Sequence, residues 1–249
     1  MFTGESTAET ALVTGAAGTM GEAVARAFVE DGLKVVMVDI ARESLEKLTA
    51  SLGNRVFAYS FDISDPSAVT ENIKLITKEV GDIDILVNNA GILSNNKAAD
   101  TTPEEWNKVM AVNLNGAFYL SQAVLPSMRK KGWGRIINTC SYAAKSGGIT
   151  AGTAYSTSKA AMIGLTFSLA AETTRQGITV NGIAPAYIRT PMVTKQLTEE
   201  QRREVLEKIP VGRYCEPEEF AHVVKFLASP LSGFITGEII DQNGGFHFD

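Results

Sequence analysis

Short apolar segments rich in β-branched residues alternate with longer amphipathic segments along the chain. The apolar segments lack polar alternation, which is typical of strands buried on both faces of a parallel sheet. They occupy residues 10–13, 34–39, 55–61, 84–87, 135–140, 178–183 and 237–241. Because helical segments separate these strands, the pattern predicts repeated βαβ units. The expected fold is α/β, with one doubly wound, seven-stranded parallel sheet and helices on both faces.

The amphipathic segments carry helix start and stop signals. Asp65 is placed as an N-cap with Pro66 at the first helical position, and Gly177 is a stop signal. The pattern predicts helices over residues 21–31, 41–52, 65–80, 101–131 (as one helix or two) and 153–176.

One region departs from this alternation. Residues 186–217 contain a charged helical segment, TEEQRREVLEK, and no strand. Because an insertion after the carboxyl end of a strand lies where α/β sheets bind ligands, we predict that it forms a small substrate lid. We expect residues 9–249 to form a single domain, with residues 1–8 as a loose polar leader.

Composition argues against several function classes. The 249 residues carry a formal net charge of −5 without any block of like charges, which argues against nucleic-acid binding. No apolar run approaches the roughly 18 residues that span a bilayer, so no membrane partner is expected. The cysteines (Cys140, Cys215) and histidines (His222, His247) lack the spacing of a metal site or a disulfide framework. The N-terminus has no signal-peptide pattern, so a cytoplasmic protein is predicted.

A glycine-rich segment, TGAAGTMG, joins the first predicted strand to the first helix at residues 14–21. The free amides and positive dipole of a helix N-terminus suit a pyrophosphate, and small residues let it come close. Asp39 ends the second strand, where its carboxylate can accept both adenosine ribose hydroxyls and repel a 2′-phosphate. These features predict NAD as the cofactor, although Arg42 could instead reach a phosphate.

Tyr155 and Lys159 stand four residues apart in a helical segment and so share one face. Together with NNAG at 88–91, NTCS at 138–141 and VNGIAPAYIRT at 180–190, this pair resembles the short-chain dehydrogenase/reductase family over nearly the whole chain. The resemblance implies a single-domain Rossmann fold. It also implies an NAD(P)-dependent oxidoreductase that interconverts a small-molecule secondary alcohol and a ketone by hydride transfer.

The pair supplies the proton chemistry of such a reaction. The resemblance implies that Tyr155 is the general acid/base and that Lys159 holds the nicotinamide ribose. A free tyrosine is a poor base at neutral pH, because its pKa is about 10. A nearby lysine ammonium is expected to lower the pKa of Tyr155.

The resemblance implies two further catalytic positions. Ser141 would hydrogen-bond the substrate oxygen; Ser146 is a competitor, but it stands nearer to Tyr155 than the family spacing. Asn113 would bind, through its backbone carbonyl, a water in the proton path. Asn115 is the neighbouring alternative to Asn113.

Three residues depart from the family's motifs. Thr19 replaces the middle glycine of the glycine motif, Ala186 replaces the glycine of P-G-x-I-x-T, and Asn243 stands where the family often has aspartate. The β-branched Thr19 narrows backbone freedom, and Gly18 could absorb the strain. The cofactor contacts implied by position are Gly15, Gly18, Thr19, Met20, Gly21, Asp39, Ile40, Asp62, Ile63, Asn89, Ala90, Gly91, Val112, Tyr155, Lys159, Pro185, Ala186, Ile188, Thr190 and Met192.

The residues expected to contact the substrate are Ser141, Tyr142, Lys145, Tyr187 and Arg189. This polar and partly cationic set favours a sugar, a polyol or a hydroxy acid. A 3-oxoacyl thioester (acyl-carrier) reductase is the alternative, although that activity usually prefers NADPH, which Asp39 disfavours. A nucleotide-binding regulator without catalysis is a further alternative, and the intact Ser–Tyr–Lys set argues against it.

The resemblance also implies a homotetramer. The helices over 103–131 and 153–176 would pair across one interface, and the C-terminal tail would pack at another. Phe246 and Phe248 in that tail suit burial against a neighbouring subunit. This expectation of an oligomer rests on the resemblance alone.

Overall fold

All seven strands predicted from the apolar segments are present in the computed structural model, which describes residues 10–191 and 198–248. They are β1 (Thr10–Thr14), β2 (Lys34–Val38), β3 (Val56–Tyr59), β4 (Ile85–Asn88), β5 (Gly134–Thr139), β6 (Ile178–Pro185) and β7 (Ile239–Gln242). Their order across one sheet is β3-β2-β1-β4-β5-β6-β7, and neighbouring strands are parallel throughout. The predicted seven-stranded parallel sheet is confirmed.

Helices pack around the sheet. They are α1 (Thr19–Glu30), α2 (Arg42–Leu52), α3 (Pro66–Glu79), α4 (Pro103–Met110), α5 (Gly116–Lys131), α6 (Ala143–Ser146), α7 (Thr153–Thr173), α8 (Glu199–Lys208) and α9 (Pro217–Ala228). Asp65 caps α3 as predicted, because its carboxylate accepts hydrogen bonds from the amides of Ser67 and Ala68.

The strands are apolar on both faces because each face packs against helices. Along β1, Ala11 and Val13 belong to one buried cluster and Leu12 belongs to the other. The first cluster contains Phe28 of α1 and Phe220 of α9, whereas α3 and α5 contribute to the second. Along β1 the polar side chains are the two terminal ones, Thr10 and Thr14, whereas β5 and β6 also bury the polar side chains of Asn138 and Asn181.

The predicted helical segment 101–131 consists of α4 and α5 joined by a π-helical turn, Ala111–Asn115. The helix is thus continuous, but its hydrogen-bond pattern changes in the middle. Such turns are frequent at functional sites. Asn113 lies in this turn and its side chain is fully buried.

The predicted lid region, 186–217, contains α8 and, among the described residues, no strand. Ile188 and Cys215 form only an isolated bridge. Val205, Ile209 and Tyr214 form a small buried cluster separate from the main core. Met192, one of the expected cofactor contacts, lies outside the described residues.

The two cysteines are free thiols. Burial raises the pKa of both Cys140 and Cys215 to about 11, so neither is a thiolate at neutral pH. Within the described part of the chain, no His, Cys, Asp or Glu side chains group as metal ligands. Of the helices described, none has the length and apolar character that crossing a membrane requires.

Candidate active site

The glycine-rich turn packs tightly against its neighbours. Gly15 has a φ of +63°, and a Cβ there would lie 2.9 Å from the Ala90 Cα. A Cβ on Gly21 would lie 2.2 Å from the Gly15 carbonyl oxygen. Both positions therefore require glycine, which brings the backbone of the turn close to the start of α1.

Thr19 causes none of the expected strain. It is the first residue of α1, and among the described residues only glycines have positive φ. Gly18 has an ordinary extended backbone, with φ −86° and ψ 159°, so it absorbs no strain. Gly18 supplies no side-chain cap to α1, which leaves the first helical amides suited to a pyrophosphate.

Thr14 joins the glycine turn to the segment after β4, although no family motif assigned it this role. Its hydroxyl accepts hydrogen bonds from the amides of Asn89 and Ala90, each at 3.0 Å. The Asn89 side chain in turn donates to the Thr14 carbonyl at 3.0 Å. Thr14 thereby places Asn89 and Ala90 beside Gly15, as the predicted cofactor site requires.

Two carboxylates lie where an adenosine is expected. Asp39 accepts hydrogen bonds from the amides of Ala17 and Ala41, each at 3.0 Å, and so joins the end of β2 to the glycine turn. Asp62 accepts from the amide and the hydroxyl of Ser64 at 2.8 and 2.7 Å. The site thus has fixed negative charge on its adenosine side.

Ser141, Tyr155 and Lys159 come together at the carboxyl end of β5. The Ser141 hydroxyl hydrogen-bonds Tyr155. Lys159 is buried, and its ammonium donates to the carbonyl of Thr139, the last residue of β5, at 2.6 Å. The Lys159 Nζ lies 5.8 Å from the centre of the Tyr155 ring. The structure therefore assembles the three side chains that the sequence picked out.

The pKa of Tyr155 differs in direction from the expectation. Burial raises it above the ordinary value of 10.0, and the hydrogen bond from Ser141 opposes that rise only in part. Burial also lowers the pKa of Lys159 to about 8, so its side chain is still mostly an ammonium at neutral pH. The expected lowering of the Tyr155 pKa is wrong for this arrangement, because desolvation by burial is the largest effect on it. Because Tyr155 is protonated at neutral pH, its phenol can act as a proton donor.

The structure separates the competing residues of the predicted site. Asn113 accepts a hydrogen bond from the Ile92 amide at 2.8 Å and donates to the Ile92 carbonyl at 3.0 Å, whereas Asn115 is exposed. Ser146 donates to a carbonyl in its own turn, while Ser141 contacts the tyrosine. These contacts favour Asn113 over Asn115 and Ser141 over Ser146, and the catalytic roles of Asn113 and Ser141 stay predictions.

The two cations expected to contact the substrate are already paired. The Lys145 Nζ lies 2.5 Å from an Asp241 carboxylate oxygen, and the Arg189 Nε lies 2.9 Å from Glu216. The carboxylates offset the positive charge that favoured an anionic substrate. The expectation of an anionic substrate rested on the positive charges of Lys145 and Arg189. Because each charge is neutralised by a carboxylate, that argument no longer holds.

Aromatic rings form the wall beside Ser141. The Phe246 ring lies 5.1 Å from the Tyr142 ring and 6.0 Å from the Tyr187 ring, edge-on in both cases. Phe246 also packs against the buried cluster of the lid. The Phe246 ring is thus held by residues of its own chain, while Phe248 is 84% exposed, and burial of either ring against a neighbouring subunit stays a prediction.

The comparisons with known proteins agree with this geometry. A family model described as Enoyl-(Acyl carrier protein) reductase matches residues 15–247. The chain is 42% identical over 238 residues to the 3-oxoacyl-[acyl-carrier-protein] reductase FabG of Vibrio cholerae, covering 95% of this chain and 96% of the relative. It is 39% identical over 238 residues to the protein of that name in Escherichia coli, with the same coverage.

A solved structure has the same fold. It is a Brucella melitensis protein described as a short-chain dehydrogenase/reductase, glucose/ribitol dehydrogenase. It superposes with a TM-score of 0.90 at 33% sequence identity, and the match covers 97% of each chain. A likeness of this extent identifies the family and not the substrate.

Proposed function

This chain belongs to the short-chain dehydrogenase/reductase family of oxidoreductases, and on that premise we propose that it is an NADH-dependent reductase of 3-oxoacyl thioesters. The observation that carries the proposal is the contact set of Ser141, Tyr155 and Lys159. It places a protonated phenol, a second hydroxyl and an ammonium at one end of the sheet.

The side chains divide the proton chemistry among them. The chemistry that a reduced nicotinamide would supply when bound is hydride transfer to the carbonyl carbon. Tyr155 donates its phenolic proton to the carbonyl oxygen, which gives the alcohol. Ser141 hydrogen-bonds that oxygen as negative charge develops on it. The Lys159 ammonium, held on the Thr139 carbonyl, stabilises the phenolate that Tyr155 becomes.

The fit of a dinucleotide rests on the glycine turn and Asp39. Gly15 and Gly21 leave no room for a Cβ, and the uncapped start of α1 offers amides to a pyrophosphate. Asp39 is tied to that turn by Ala17, so its charge lies near the expected ribose. A 2′-phosphate there would meet a fixed carboxylate, which supports NADH over NADPH.

The substrate class is supported by the wall of the site and by the relatives. Tyr142, Tyr187 and Phe246 offer aromatic surface, and the charges of Lys145 and Arg189 are paired. Relatives that match about 95% of the chain are named 3-oxoacyl-[acyl-carrier-protein] reductases. A sugar or polyol is the second candidate, because the Brucella structure is described as a glucose/ribitol dehydrogenase.

A rate comparison tests the proposal. A 3-oxoacyl thioester is supplied with NADH or NADPH, and ribitol or glucose is supplied with the oxidised cofactors. We expect NADH oxidation by the thioester, a loss of about 100-fold or more in Tyr155→Phe, and no comparable loss in Tyr119→Phe. Tyr119 is a fair control because its ring packs against the buried cluster that contains α3 and α5, and its ring partner is Phe118.

Two outcomes would overturn parts of this proposal. Turnover of the polyol without turnover of the thioester would transfer the function to the second candidate. Equal use of NADPH by the wild type, unchanged in Asp39→Ser, would remove Asp39 as the cofactor selector.

A further inference from the structure

The turn that carries Ser141 is weakly supported by its own sequence. It contains only α6, four residues long, and its side-chain hydrogen bonds are short-range ones, from the Ala143 amide to the Ser141 hydroxyl and from the Ser146 hydroxyl to the Tyr142 carbonyl, each at 3.1 Å. Gly147 and Gly148 follow with φ values of +72° and +80°. A single helical turn is unstable alone, so contacts with other elements must fix its position.

The last strand and the tail supply those contacts. The Lys145 ammonium meets the carboxylate of Asp241 on β7 at 2.5 Å. Beyond β7, the Phe246 ring lies edge-on against Tyr142, the residue after Ser141. The Tyr142 amide also donates to the carbonyl of Pro185, where β6 ends, at 2.9 Å. The turn is thus held from β6, β7 and the tail.

Asn243 folds the tail back so that it reaches the turn. Its side-chain NH₂ donates to the His247 carbonyl at 2.9 Å, and its oxygen accepts from the Gly245 amide at 3.0 Å. Gly244 and Gly245 have φ values of +63° and +82°, which favour glycine. An aspartate at 243 would lack the donor, so the departure from the family pattern has a structural reason here.

The Lys145–Asp241 pair is shielded from water. The two side chains are 18% and 19% exposed, against 32% and 42% for the pair of Lys225 with Asp31 on the far side of the molecule. Removing one member of a shielded pair leaves a poorly solvated charge, so it costs more than breaking a surface pair. The ion pair is therefore suited to fix the position of α6 relative to β7.

We propose that Lys145 and Asp241 are positioning residues: their ion pair fixes the Ser141 turn on β7, so that the Ser141 hydroxyl stays in hydrogen-bonding position on Tyr155. Lys145 is thereby reassigned from a substrate contact to a support of the catalytic serine. The rate consequence rests on the proposed function, but the placement of the turn does not.

Charge replacement and exchange test this role. The variants are Lys145→Met, Asp241→Asn, the conservative Lys145→Arg, and the double variant Lys145→Asp with Asp241→Lys. The control is Lys225→Met, which breaks an ion pair remote from Ser141. For each protein, kcat and KM are measured with whichever substrate the wild type turns over, thioester or polyol, and NADH affinity is measured by fluorescence.

We expect Lys145→Met and Asp241→Asn to lower kcat by about tenfold or more, because small misplacements of catalytic groups are costly. NADH affinity should stay within about twofold, since neither residue belongs to the glycine turn. Lys145→Arg should keep most of kcat, the exchanged pair should recover part of it, and Lys225→Met should leave it unchanged. Equal kcat in Lys145→Met and Lys225→Met would overturn the proposal.

Hydrogen–deuterium exchange separates this proposal from the proposed function, because it needs no substrate. Amides of residues 143–146 should exchange faster in Lys145→Met than in the wild type and in Lys225→Met. Unchanged exchange there would refute the positioning role even in an active enzyme. An inactive wild type with faster exchange in Lys145→Met would instead refute the proposed function alone.

Discussion

Replacing Asn113 by alanine removes three buried side-chain hydrogen bonds. The side chain has no exposed surface. It accepts from the Ile92 amide at 2.8 Å, and it donates to the Ile92 carbonyl and to the Ser158 hydroxyl, each at 3.0 Å. These bonds join the segment after β4 to the π-helical turn and to α7.

The size of the effect follows from these three bonds. Each buried hydrogen bond contributes about 1 kcal/mol net, so their loss costs about 3 kcal/mol. Ser158 keeps a partner, because its hydroxyl also donates to the Tyr155 carbonyl, whereas both backbone groups of Ile92 lose the side chain that pairs them. For a chain of this size, about 3 kcal/mol lowers the melting temperature by about 6–12 °C.

Asn115→Ala is the matched control, because Asn115 lies in the same π-helical turn with an exposed side chain. Its melting temperature should stay near that of the wild type. Both variants are compared by thermal denaturation followed by circular dichroism, in the absence of any cofactor. If Asn113→Ala melted within about 2 °C of Asn115→Ala, the structural role assigned to the Asn113 side chain would be refuted.

Two further predictions concern the cofactor turn and the buried lysine. Gly21→Ala should destabilise the protein by about 1–3 kcal/mol and weaken NADH binding, because its Cβ would lie 2.2 Å from the Gly15 oxygen. Gly18→Ala, whose Cβ lies at 3.4 Å from that oxygen, should stay within about 1 kcal/mol in urea unfolding. The Lys159 pKa is lowered from 10.5 to about 8, so between these values the unfolded chain binds the proton more strongly, and stability rises with pH. Relative to Lys159→Met, the wild type should therefore gain up to about 3 kcal/mol between pH 7 and pH 10.5, and a constant difference would contradict the lowered pKa.

The sheet could be predicted from sequence because parallel strands buried on both faces must be continuously apolar. Residues 10–13 and 34–39 carried most of that pattern, and β1 and β2 lie there. The proposed catalytic set could be picked out because Tyr155 and Lys159 share a helix face and the family motifs indicate Ser141 and Asn113. Local pattern was sufficient in both cases.

Pairings between distant segments could not be predicted. Lys145 meets Asp241 and Arg189 meets Glu216 only because β6, β7 and the lid come together, and neither partner is marked in the sequence. The sequence likewise showed an aromatic residue at Phe246 but not which rings it would contact. The direction in which the Tyr155 pKa shifts depends on burial, and burial cannot be deduced from the spacing of residues along the sequence.

The homotetramer and the cytoplasmic location stay predictions. Phe118 of α5 and Phe167 of α7 are 41% and 49% exposed, and these are helices that the resemblance assigns to an interface. Sedimentation of the purified protein would test the tetramer directly.

The hydrogen bond from Lys159 to the Thr139 carbonyl has a consequence for how this enzyme can diversify. This bond anchors Lys159 to the end of β5, two residues before Ser141. The sheet therefore fixes the positions of the groups proposed to transfer the proton. The segment 186–217 packs instead through its own small buried cluster, against which Tyr187 and Phe246 lie. Residues of α8 can therefore be exchanged to alter the substrate range without touching the contacts of Lys159 or of the Ser141 turn, which makes α8 the segment to randomise in directed evolution.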